Sequence, residues 1–128
     1  MSYYFDATVS GRFDDVVQRV VAALKQQGFG VLTDIDVKAT LKQKIDVEFR
    51  PYRILGACNP PLAHKALTAE DKIGTMLPCN VIVQDLGNGR IGVAAINPLA
   101  AMEKIDNAAL HAIATEVATK LQAVIASL

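Results

Sequence analysis

Pro78-Cys79-Asn80-Val81-Ile82-Val83-Gln84-Asp85-Leu86-Gly87-Asn88-Gly89-Arg90-Ile91-Gly92-Val93-Ala94-Ala95 is the stretch that decides the fold. Val81-Ile82-Val83 is β-branched and apolar, Gly87-Asn88-Gly89 supplies residues that tolerate positive φ, and Ile91, Val93 and Ala95 alternate on the far side. That is the signature of two antiparallel strands joined by a tight turn. Just upstream, Tyr52-Arg53-Ile54-Leu55-Gly56-Ala57-Cys58 reads as another strand, halted by Asn59-Pro60-Pro61 because proline cannot donate to a ladder. Asn59 could instead cap a helix that starts at the prolines.

Outward from this centre the periodicity changes. Residues 3–9 alternate large and polar positions before Ser10-Gly11, which predicts a first strand and a turn. Phe13, Val16, Val17, Val20, Val21 and Leu24 then recur at helical spacing, with Asp14 and Asp15 at the positive end of the helix dipole and Gly28 as a stop. A short β-rich run from Gly30 to Ile35 follows. Val37, Leu41 and Ile45, four apart in a Lys-rich stretch, predict a brief amphipathic helix.

Residues 60–78 hold short helical stretches broken at Gly74 and stopped by Pro78. Asn97-Pro98 ends the sheet. From Asp106, Leu110, Ile113, Val117, Leu121, Val124, Ile125 and Leu128 mark a long amphipathic helix.

This order predicts an α+β fold: an antiparallel sheet with helices on one face, in a single domain spanning residues 1–128. Apolar residues fall on both faces of the strands, since Ile82 and Ala94 oppose Val81, Val83, Ile91 and Val93. The second face therefore needs a cover. Either a second copy of the chain supplies it or the short helices of residues 60–77 do.

Composition narrows the function classes. Lys+Arg and Asp+Glu balance at 13 each, the basic residues are scattered, and Trp is absent. Neither the electrostatic footprint nor the stacking platform of a nucleic-acid binder is present. No apolar run approaches the ~20 residues of a membrane span, and Met1 to Asp6 lack a secretion signal, so a cytoplasmic protein with neither membrane nor nucleic acid as partner is expected. Two cysteines are few for a secreted disulfide scaffold.

Both cysteines are followed by Asn and flanked by Pro: Cys58-Asn59-Pro60-Pro61 and Pro78-Cys79-Asn80. With five Asn in the whole chain, the two junctions look built to one pattern. If their strands are antiparallel neighbours, both lie at the same end of the sheet. His64 follows on the connecting segment, so Cys58, His64 and Cys79 could form a soft-metal site for zinc or a cuprous ion, although the spacing matches no standard ligand pair. A nucleophilic or redox thiol is a second reading, and cysteines packed as small hydrophobes a third.

Glu48, Arg50, Tyr52 and Arg53 could bind an anion or form surface pairs, and His111 falls off the apolar stripe of the last helix, facing solvent. Gly87-Asn88-Gly89 is a turn and not a phosphate loop. No dinucleotide fingerprint, paired carboxylates or Ser-His-Asp order stands out, and the sequence leaves any cofactor unknown.

The Tyr52-to-Pro60 stretch, with Ala63, Ala66-Leu67, Ile73-Gly74 and Leu77-Pro78-Cys79-Asn80-Val81-Ile82-Val83, resembles the family called domain of unknown function 302, nearly end to end and including Gly28-Phe29-Gly30-Val31. The resemblance implies a TATA-binding-protein-like order, strand-helix-four strands-helix, and a homodimer. It supplies no activity and does not imply DNA binding. Its motif residues Cys58, Asn59, Pro60, Cys79 and Asn80 transfer as candidates, and with His64 they make up the expected ligand site of a small binding or accessory protein. The alternatives are a thiol-dependent enzyme or redox protein, or a copper- or zinc-binding protein.

Overall fold

The computed structural model describes residues 1–128. Five strands, β1 (Tyr4–Ser10), β2 (Gly30–Asp36), β3 (Tyr52–Cys58), β4 (Cys79–Gly87) and β5 (Arg90–Ile96), form one sheet in the order β1-β5-β4-β3-β2. Every neighbouring pair is antiparallel. The helices are α1 (Phe13–Gln26), α2 (Val37–Ile45), α3 (Pro60–Ala69), α4 (Pro98–Ala101) and α5 (Ala108–Ala126), with a 3-10 turn over Asp71–Met76. The strand-helix-four strands-helix order holds once α2, α3 and α4 are taken as additions within the connections.

The β4–β5 hairpin closes as its sequence predicts. Asn88 and Gly89 take φ of 57° and 74°, the pair of positive values that a type I′ turn requires, and Asp85 Oδ1 accepts from the Gly87 N–H at 2.8 Å. The same alternation sorts the strands into two faces. Leu55, Ala57, Cys79, Val81, Val83, Ile91, Val93 and Ala95 point toward α1 and α5, where they meet Val16, Val17, Val20 and Leu24 of α1 and Leu121, Val124 and Ile125 of α5. No charged side chain is buried there.

Ala66, Ile73, Met102, Leu110 and Ala114 form a second, separate cluster where α3, the 3-10 turn and the residue after α4 meet the N-terminal half of α5. This placement settles how residues 60–77 are used. They lengthen the helical layer on the face already covered and leave the other face of the sheet bare.

Two local readings are extended and one is corrected. Pro98–Ala101 is a short helix and not merely the end of a strand, because Asn97 caps it through Leu99 N at 3.1 Å and Pro98 sits at its first turn. The helix α2 forms as expected but buries no residue, and Ile45 is 63% exposed. His111 does not face solvent: it is partly buried, with Nε2 3.2 Å from Met102 O, because α4 folds back along α5 at that point.

Candidate functional site

The two cysteines meet at one end of the sheet. Ala57 pairs with Cys79 across the β3–β4 ladder, so Cys58 is the next residue along from Cys79's partner. Behind them, α3 and α5 approach with alanines on their facing sides. Ala63 and Ala66 of α3, Ala114 of α5 and Ala57 of β3 are too small to fill the gap between the main core and the satellite cluster. A cleft of about 280 Å³ results. Its wall takes Phe29, Leu32, Met102, Leu110, Ile113 and Val117 in addition, and Asn59 is its one carboxamide. Leu32 is there because β2 carries a bulge between Val31 and Thr33, which leaves this side chain out of the ladder and 67% exposed at the cleft.

The two Cys-Asn junctions are not equivalent. Asn59 leaves the strand and caps α3, its Oδ1 accepting from Leu62 N at 3.3 Å and its Nδ2 donating to Gln27 O at 3.5 Å. Gly28 lies against that carboxamide: with φ of +84°, a Cβ there would sit 3.0 Å from Asn59 Nδ2. Asn80 remains inside β4 and emerges on the bare face, in the shallow depression of about 420 Å³ that Tyr3, Tyr4, Tyr52, Ile82 and Gln84 share. The pattern that does recur is strand-Asn-Pro-helix, at Asn59-Pro60 and at Asn97-Pro98. In both, the carboxamide accepts a first-turn N–H and donates to a carbonyl elsewhere in the chain, Gln27 O and Ser2 O respectively.

Of the residues expected from sequence, Cys58, Asn59 and Cys79 line the cleft, whereas Pro60, His64 and Asn80 do not. His64 is exposed on the outer side of α3, and no three His, Cys, Asp or Glu side chains are grouped to hold a metal ion. Both cysteines are free; Cys58 is partly exposed and Cys79 is 8% exposed. Burial pushes the Cys79 thiol up to about 11 from an ordinary 9.0, with the neighbouring Cys58 adding to the effect. It is a neutral thiol at physiological pH.

The charged cluster before β3 resolves into surface pairs. Arg53 forks onto Asp34 with Nε–Oδ1 at 2.7 Å, which holds the Asp34 carboxyl below its usual range, while Arg50 donates to Gln84 Oε1 at 2.9 Å and stacks over Phe49. Glu48 pairs with Lys42 at 2.9 Å. Arg53 and Glu48 are thus held in ion pairs, and Arg50 is held against Gln84 and Phe49 without a carboxylate partner.

Sequence reasoning missed the α5 and satellite walls of the cleft, Met102, Leu110, Ile113, Ala114 and Val117. Their spacing identified the buried stripe of a helix but gave no sign that part of it would border a void. The repeated alanines of α3 and α5 were the available signal.

The profile of the domain of unknown function DUF302 matches residues 5–128. The chain belongs to the DUF302 family. The crystal structure of an uncharacterized conserved DUF302 protein from Bacillus stearothermophilus is similar over 98% of both chains, with a TM-score of 0.90 and 28% identity. No curated protein matches the chain. Within the DUF302 framework, no helix is long and apolar enough to cross a membrane.

Proposed function

We propose that this DUF302 protein is a small homodimeric binding or accessory protein that holds an apolar small molecule in the cleft between the Cys58/Cys79 end of the sheet and α3–α5. The observation that carries this reading is the cleft itself. Apolar side chains from both clusters wall it and small residues keep it open, beside a main core of 16 buried residues. A thiol-dependent reaction at Cys79 is disfavoured, because a thiol titrating near 11 supplies almost no thiolate at neutral pH. Two free thiols suit a reducing compartment, in keeping with a cytoplasmic location.

Filling the cleft tests the proposal. Ala114→Leu adds an isobutyl group to the α5 wall, and Ala66→Leu does the same from α3. The expected result is a thermal midpoint equal to or above that of the parent, by up to about 2 kcal/mol of added stability, together with loss of the methyl chemical-shift changes that n-butylbenzene produces in the parent. Undiminished binding in two folded variants would remove the cleft as the site.

The bare sheet face is where we place the second copy. On the central strands it presents Tyr52, Ile54, Asn80, Ile82, Gln84, Ala94 and Ile96, with charge only at its margins, Arg90 at the start of β5 and Asp6 on β1. Five strands about 4.8 Å apart and seven residues long at about 3.3 Å each give a flat area near 550 Å². Two such faces bury roughly 1,100 Å² before side-chain relief is added, close to the lower bound for a specific interface.

A further inference from the structure

The N-terminal end of α3 borders the cleft through Asn59, Leu62 and Ala63, at a place where backbone N–H groups and the helix dipole ordinarily attract an anion. Here that capacity has been removed. Pro60 and Pro61 occupy the first two helical positions and carry no N–H. The next two donors are already taken: Leu62 N donates to Asn59 Oδ1 at 3.3 Å and Ala63 N to Asn59 O at 2.8 Å. No Lys, Arg, His, Asp or Glu lines the cleft, and His64 and Lys65, the charged or titratable residues of α3, are exposed outside it. A carboxylate, phosphate or ammonium entering the cleft would shed its water and find no partner, at a cost of several kcal/mol. One donor does remain. The Asn59 carboxamide has two N–H groups, and Gln27 O engages only one of them, at 3.5 Å.

Size follows from volume. A cavity of about 150 Å³ lined by aliphatic side chains takes benzene. By proportion, a cleft of about 280 Å³ takes a ligand of roughly eleven non-hydrogen atoms.

We infer that the cleft selects uncharged, mainly hydrocarbon ligands of roughly eleven non-hydrogen atoms, with a single acceptor oxygen directed at Asn59. Medium-chain ketones, aldehydes, alcohols and esters form this class, and fatty-acid anions and alkylamines are excluded from it. The inference rests on the reading of the cleft as the ligand site. It adds that a doubly proline-blocked helix end is the device that sets charge selectivity.

The test compares three probes of near-equal length on the intact protein: 2-nonanone, nonanoate and nonylammonium. Binding is followed by calorimetry and by the methyl resonances of Met102 and Ala114. The ketone should bind at least about tenfold more tightly than either ion, from the cost of stripping water from an unpaired charge. Asn59→Asp retains an acceptor for the α3 cap but loses both carboxamide N–H groups, so ketone affinity should fall several-fold, and the thermal midpoint should drop modestly because Gln27 O loses its donor.

Equal or tighter binding of nonanoate or nonylammonium, with the same methyl shifts, would overturn the selectivity and leave the cleft as a ligand site. If none of the three probes moved the Met102 or Ala114 methyls, both readings would fall. Unchanged ketone affinity in Asn59→Asp would remove Asn59 as the donor.

Discussion

Cys79 and Gly56 show how much single positions constrain this site. The Cys79 thiol is raised to about 11 because β3, β4 and α1 exclude water from it. A group that ionises at 9.0 in the unfolded chain and near 11 in the folded one favours folding while it is protonated. The folded protein should therefore lose stability as pH climbs from about 9 to about 11, and Cys79→Ala should flatten that decline. Iodoacetamide at neutral pH should label Cys58 in the native state and Cys79 only after denaturation. Native labelling of Cys79 at the rate of a free thiol would contradict its burial.

Gly56 is fixed by crowding and not by backbone angle. A Cβ there would lie 2.2 Å from Thr33 Oγ1 and 2.8 Å from Pro78 Cγ. Gly56→Ala should thus destabilise by about 1–3 kcal/mol, visible as a lower denaturation midpoint at unchanged slope. Thr33→Ser, which keeps the hydroxyl, should not rescue it. Burial of Cys79 was one of the readings its sequence allowed, but the constraint on Gly56 was not legible, since it looked like one more residue of a strand. The neighbour that forbids a side chain comes from β2, paired through a register with a bulge in it.

The connections between elements carry most of the specificity that local sequence could express. Asn59 was recognisable as a helix cap from the prolines that follow it. Its second role, tying α3 to the end of α1 through Gln27 O, depends on a chain reversal at Gly28 that only the fold reveals. Asn59→Ala should cost about 1 kcal/mol from the lost cap, and Asn59→Asp should recover the cap but not the donation to Gln27 O; urea denaturation of the three proteins measures both. An Ala variant as stable as the parent would show that Pro60 and Pro61 alone start the helix.

The equivalence of the two Cys-Asn pairs, which the sequence invited, fails at this scale. One Asn follows the last residue of a strand and the other is the second residue of one, so they serve different neighbours. By contrast the hairpin at Asn88-Gly89, the helix α1 and the long α5 follow from periodicity and turn chemistry alone. They need no partner from elsewhere in the chain to be specified.

Over the whole molecule, the helical layer covers one face of the sheet and the other stays apolar and open. The strand pattern announced two apolar faces. It could not say which helices went where, because the periodicity of residues 60–77 records only that one side is buried and not what it is buried against. With α3 joined to α5, the second copy of the chain is the proposed cover. Ile82→Glu, at the centre of the bare face, should convert a dimer to a monomer in sedimentation equilibrium with little change in the helical circular-dichroism signal. A parent protein that is monomeric at micromolar concentration would refute the pairing outright.

The strand order also sets a timetable. β2, β3, β4 and β5 each pair with a neighbour adjacent in the chain, but β1 at Tyr4–Ser10 has a single partner, β5 at Arg90–Ile96. At about 5–20 residues per second, the first strand emerges from synthesis on the order of ten seconds before anything exists for it to bond to. Through that interval its alternating Phe5, Ala7 and Val9 stand without a sheet, next to the α1 segment, whose apolar face has no sheet to cover either. The first strand of the sheet is therefore made before the others and paired only when the last has emerged.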